Sequence, residues 1–119
     1  MIDPVRTNQT WESTWCYAIE HYAKLNGDTM SRMHRIVSEL AESPKVTGLF
    51  AITSMVDLVI SPYSTYPDWF DGRHLTLKPS SHNIAILFYR SGTDPSPQTC
   101  NASFDDAADL IASKCWELL

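Results

Sequence analysis

The sequence predicts an α+β fold: two N-terminal helices, a three-stranded antiparallel sheet (about residues 50–60, 73–78 and 83–90) and a C-terminal helix (about 104–118), in a single domain spanning 1–119. Three observations carry this prediction. Apolar residues recur at helical spacing near the start of the chain and again after Ser103. The stretch Asn83 to Arg90, N-I-A-I-L-F-Y-R, is dense in strand-favouring types and apolar on both of its alternating sides, which predicts a central strand covered above and below. Helical and strand segments follow one another without any repeating period, which excludes a solenoid or propeller.

The elements follow in order. Thr10 is placed to cap a first helix whose opening turn carries Glu12, favourable at the positive end of the helix dipole. Trp11, Trp15, Ala18, Tyr22 and Leu25 fall on one stripe, and a stripe of this kind is a core face before it is a ligand platform. Asn26-Gly27 ends that helix, and Asp28 or Thr29 opens a second with Met33, Ile36, Val37 and Leu40 on one side. Arg35 and Glu39 have the spacing of an ion pair on its solvated face. Pro44 terminates the helix.

From Val46 to Ile60 the pattern fits either period; the alternation of Ile52, Ser54, Val56, Leu58 and Ile60 favours one strand. Ser61 to Gly72, S-P-Y-S-T-Y-P-D-W-F-D-G, holds Pro62 and Pro67 and is therefore a stiffened loop rather than a helix interior or central strand. Arg73 to Lys78 alternates, with Leu75 and Leu77 inward and His74, Thr76 and Lys78 outward. Pro79-Ser80-Ser81-His82 turns the chain into the next strand, with His74 expected opposite Leu87 or Phe88. Ser91 to Asn101 reads as a polar connection, and Ser103 with Asp106 forms a capping box for the last helix.

The chain has 14 acidic and 9 basic residues, for a net charge of −5, and its basic residues form no run that could follow a phosphate backbone. Nucleic acid is thereby disfavoured as a partner. Neither a leader nor a membrane span is expected from the distribution of apolar residues. Three cysteines without a Cys-x-x-Cys pattern suit a reducing compartment, and the cytoplasm is the expected location. Cys16 and Cys115 are expected as small core residues.

No catalytic, metal or cofactor motif is present, so neither a cofactor nor a catalytic residue is assigned from sequence. Asp57, inside an apolar strand, is expected to face water or an arginine such as Arg73 or Arg90. The proline-stiffened loop holds Tyr63, Tyr66, Trp69 and Phe70, flanked by Asp68 and Asp71. Large rings on a restricted backbone bury much area at small entropic cost, which is the physics of a recognition surface. The same rings could instead fold inward and plug one end of the sheet.

The expectation is a small acidic cytosolic protein-binding domain. An inhibitor or immunity-type protein that neutralises a basic protein partner through these six loop residues would fit size and charge. Two alternatives stand beside it. One is a small-molecule binding domain or hydrolytic enzyme with a pocket between sheet and helices, lined by Trp11, Trp15 and Trp69 with Asp57, His74 or Tyr89. The other is a symmetric homodimer formed through the aromatic loop.

Overall fold

The N-terminal helix α1 (Trp11–Ala23) forms where the apolar stripe predicts, with Thr10 capping it by accepting a hydrogen bond from the Ser13 amide. The computed structural model describes residues 10–65 and 67–118. Gly27, at φ 105°, makes the sharp entry into α2 (Asp28–Ala41), a conformation that a side chain would strain. After a short 3-10 turn at Pro44–Val46 come β1 (Phe50–Ser54) and β2 (Asp57–Ser61). The one-turn helix α3 (Asp68–Asp71) lies inside the loop, followed by β3 (His74–Pro79), β4 (Ile84–Tyr89) and β5 (Gln98–Ala102). Helix α4 (Phe104–Lys114) ends in a 3-10 turn, Cys115–Leu118. None of the described helices is long and apolar enough to cross a membrane.

The α+β class holds, but the sheet has five strands rather than three, in the order β1-β2-β3-β4-β5 with every pair antiparallel. Two segments account for the difference. The segment 50–60 is a hairpin, because the chain reverses at Met55 and Val56 and pairs Ser54 with Asp57. That turn carries no Gly or Asn-Gly signal; Met55 itself takes φ 58°. The reversal flips the side-chain parity, so Ile52 pairs with Val59 on one face while Leu58 and Ile60 join the core on the other.

The second is β5, Q-T-C-N-A, which lies in the segment whose composition predicts a polar connection. It is an edge strand with only Cys100 and Ala102 turned to the core side, too few apolar positions to register as a pattern. The segment 83–90 is an interior strand, but β3 is the middle one. Its cover is one-sided: Ile84 and Ile86 are buried, whereas Ala85, Leu87 and Tyr89 are half-buried.

Helices α1, α2 and α4 supply the core that lies against one face of this meander. Trp15, Ala18, Tyr22, Met33, Ile36, Leu40 and Ile111 meet Leu58, Ile60, Leu75, Leu77, Ile84 and Ile86 there. Helix α1 also secures the β1 edge through four of its side chains. Thr14 Oγ1 accepts from the Ala51 amide at 3.0 Å, Trp15 Nε1–H donates to Leu49 O at 3.0 Å, His21 Nε2–H to Met55 O at 2.8 Å and Tyr22 O–H to Val56 O at 2.9 Å. Burial, with a smaller push from nearby Asp57, raises the Tyr22 phenol well above its ordinary range, so it remains a donor.

At the other end of the core, the Arg73 guanidinium donates twice to Leu118 O, at 3.1 and 2.9 Å, tying the last turn to the start of β3. Cys115 is buried as expected, its thiol pushed up to about 12 by burial, but Cys16 is exposed on the outer side of α1.

Met55 is 84% exposed and gives up no packing on replacement. Met55→Gly is therefore expected to stabilise the domain by about 0.5–1 kcal/mol, because only glycine takes a positive φ without a Cβ penalty. Denaturant midpoints of the two proteins check this.

Candidate functional site

With the helices on one face, the alternation within each strand sends a second set of side chains to the other. His74 lies opposite Tyr89, and Thr76 lies between Val59 and Leu87. One step further along the strands, Lys78 Nζ bonds Asp57 Oδ2 at 2.9 Å. Together with Ser54, Trp69, Phe70 and Gly92, six of these residues (Asp57, Val59, His74, Thr76, Lys78 and Tyr89) line a cleft of about 400 Å³. That volume falls in the range of ligand-holding clefts, about 300–1,000 Å³.

The wall of the cleft is the aromatic loop. After β2 the chain leaves the sheet through Pro62, turns once in α3 and re-enters at His74, which lays Phe70 over the sheet face. Phe70 stacks on the His74 imidazole at 5.9 Å, His74 stacks on Tyr89 at 4.8 Å, and Trp69 meets Phe70 edge to face at 6.1 Å. The wall is held from behind. The Gly92 amide donates to Asp71 O at 2.9 Å, and the Tyr63 ring packs directly against Gly72.

His74 is 2% exposed and donates from Nδ1–H to Gly72 O at 2.9 Å. Desolvation lowers its pKa, only partly opposed by that backbone hydrogen bond, so the neutral imidazole is the form the fold accepts. A folded pKa below the unfolded value means that the unfolded chain binds more protons as pH falls. The stabilisation is present above the ordinary histidine pKa of 6.5 and is lost as pH falls through the lowered one. The unfolding midpoint is thus expected to drop as pH falls below 6.5, and His74→Phe, which keeps the ring stack, to flatten that slope. Asp94, lowered by backbone hydrogen bonds from Arg90 and Ser96, acts below that window, as pH falls under its ordinary 3.8.

Of the six residues expected at a partner surface, Trp69 and Phe70 line the cleft and Phe70 is 46% exposed. Tyr63 is 38% exposed on the other side of the loop, beside Gly72. Asp68 and Asp71 are exposed on α3. Tyr66 lies outside the described residues. The loop neither stands away from the sheet nor seals beneath the helices: it leans over the open face as one wall.

The alternative pocket between sheet and helices is not formed as expected. Trp15 is core and Trp11 packs against that core, whereas Asp57, His74, Tyr89 and Trp69 do converge, on the opposite face. Asp57 pairs with Lys78 rather than Arg73 or Arg90. Ser54, Val59, Thr76, Lys78 and Gly92 were missed as site residues. The 73–78 alternation already put Thr76 and Lys78 beside His74, but without the β1–β2 reversal nothing brought Asp57 to that face. Among the described residues no three His, Cys, Asp or Glu side chains converge in a metal-holding group.

Fold and site thus define an α+β protein whose five-stranded meander is covered by helices on one face and carries an aromatic-walled cleft on the other. Compared with protein-family models, curated proteins and solved structures, the chain matches none of them.

Proposed function

We propose that this is an acidic cytosolic binding domain that holds a basic protein partner against the open sheet face and its aromatic wall, as an inhibitor or immunity-type protein would. The observation that carries the reading is the half-exposed Phe70, held in place by its stack on buried His74. A large ring fixed before binding loses little entropy on contact, which is what makes a hot spot effective. Exposed Asp68 and Asp71 sit on the same turn, within a chain of net charge −5, and would speed encounter with a basic surface. Three free cysteines agree with a reducing compartment.

The test is affinity capture from source-cell lysate with the wild-type domain and with the loop variant Phe70→Ala. A defined basic protein retained by the first and lost by the second, at an unchanged unfolding midpoint, is the expected result. Identical captured sets would overturn the reading. The cleft itself favours a second reading, a small-molecule site, because its volume and its mixture of rings with His74, Thr76 and Tyr89 suit a ligand. Ligand-dependent stabilisation of the isolated domain in a metabolite screen is its test.

A further inference from the structure

The cleft already contains a cation, the chain's own. Lys78 reaches across the open face to Asp57, with Nζ 2.9 Å from Oδ2. The two partners are unequal in freedom. The Asp57 side chain is 25% exposed and sits at the start of β2, while the Lys78 side chain is 51% exposed on a flexible stem that can swing into water. Trp69, Phe70 and Tyr89 line the same cleft. At the rim, Asp68 and Asp71 are exposed and neither makes an ion pair among the described residues. A carboxylate and aromatic rings within one cleft are the chemistry that holds guanidinium and ammonium groups, by charge and by cation–π attraction.

We propose that the cleft receives an arginine or lysine side chain from a basic partner segment, that Asp57 is its anchor, and that Lys78 is an internal placeholder which the incoming cation displaces. This rests on the partner reading above and names the part of the partner that enters. It makes a prediction that a merely structural ion pair does not: removing the two members of one salt bridge has opposite effects. Asp57→Asn deletes the anchor and weakens binding; Lys78→Met vacates it and strengthens binding. If the pair only held β2 to β3, both changes would act in the same direction.

The probe is an acetylated, amidated hexa-arginine peptide titrated into the labelled domain and followed by amide chemical shifts, with hexa-glutamate as the opposite-charge control. Two charge-matched variants away from the cleft, Lys45→Met in the 3-10 turn and Asp109→Asn on α4, account for net charge alone. The expected result is shifts concentrated at residues 54–59, 69–78 and 89–92. Affinity should fall about threefold or more in Asp57→Asn and rise about threefold or more in Lys78→Met, each against its matched variant, as loss or release of one cation contact implies.

Shifts spread over the acidic surface, or cleft variants indistinguishable from their matched ones, would overturn the proposal. Because the peptide is read on the domain alone, its outcome is separable from lysate capture. Capture lost in the loop variant with no cleft effect removes the cation site and leaves the partner reading. A cleft effect with capture unchanged does the reverse.

Discussion

Trp15→Ala is expected to be the most damaging single substitution argued from this structure, lowering stability by about 3–5 kcal/mol. Trp15 is 2% exposed within the core, and its indole N–H donates to Leu49 O at 3.0 Å, just before β1 begins. Alanine would leave a cavity in the core where α1 packs against α2 and β1, and would strand a buried carbonyl. It would also loosen one of the four side-chain bonds with which α1 secures the β1 edge and its turn. Trp15→Phe keeps a six-membered ring in the core but loses the pyrrole part with its N–H; a smaller cost of about 1–3 kcal/mol is expected for it. Urea unfolding of the three proteins gives both numbers. If Trp15→Ala costs under about 1 kcal/mol, α1 is not part of the cooperative core.

The second large effect is expected at Gly92→Ala, and it acts on the site. A Cβ there would stand 2.7 Å from Phe70 O and 3.1 Å from Asp71 Cα. Both neighbours are backbone, so no side chain can swing away to make room, and α3 or the turn after β4 must shift. A cost of about 1–3 kcal/mol is expected, as for an overpacked contact. The displacement should also carry Phe70 off His74. Amide shifts at residues 69–74 would then move while those of α1 and α2 stay, and affinity for hexa-arginine would fall. A variant as stable as wild type with unmoved loop resonances would show that the wall tolerates the methyl group and does not set the shape of the cleft.

The parts of this protein legible in its sequence are those where local chemistry and tertiary demand coincide. Thr10 and Ser103 cap their helices as their side chains allow, and Ser103 and Asp106 form the reciprocal pair. Trp15 and Tyr22, Met33 and Leu40, and Ile111 and Cys115 are buried because helical spacing leaves them one face to share. Leu75 and Leu77 point inward for the same reason at period two. The β1–β2 reversal has no sequence signal because a methionine occupies the position where turn chemistry would have put glycine. Strand β5 has only a faint one, because an edge strand with polar residues on its open face carries half a pattern.

The site was legible only in pieces. The aromatic loop was recognisable from its prolines and rings, and Asp57 and His74 from a carboxylate and an imidazole set among apolar neighbours. Their meeting was not, since it depends on register. Asp57 reaches Lys78 only because β1 turns back at Met55, and Phe70 reaches His74 only because α3 folds over the face that the helices leave open. Periodicity and capping act over a few residues, and on those grounds the sequence alone determined α1, α2, α4 and the β3–β4 hairpin, but not the one-turn α3 within the proline-rich loop. Which face stayed open, and which distant side chains share it, was decided by strand pairing and packing over tens of residues, which no local pattern encodes.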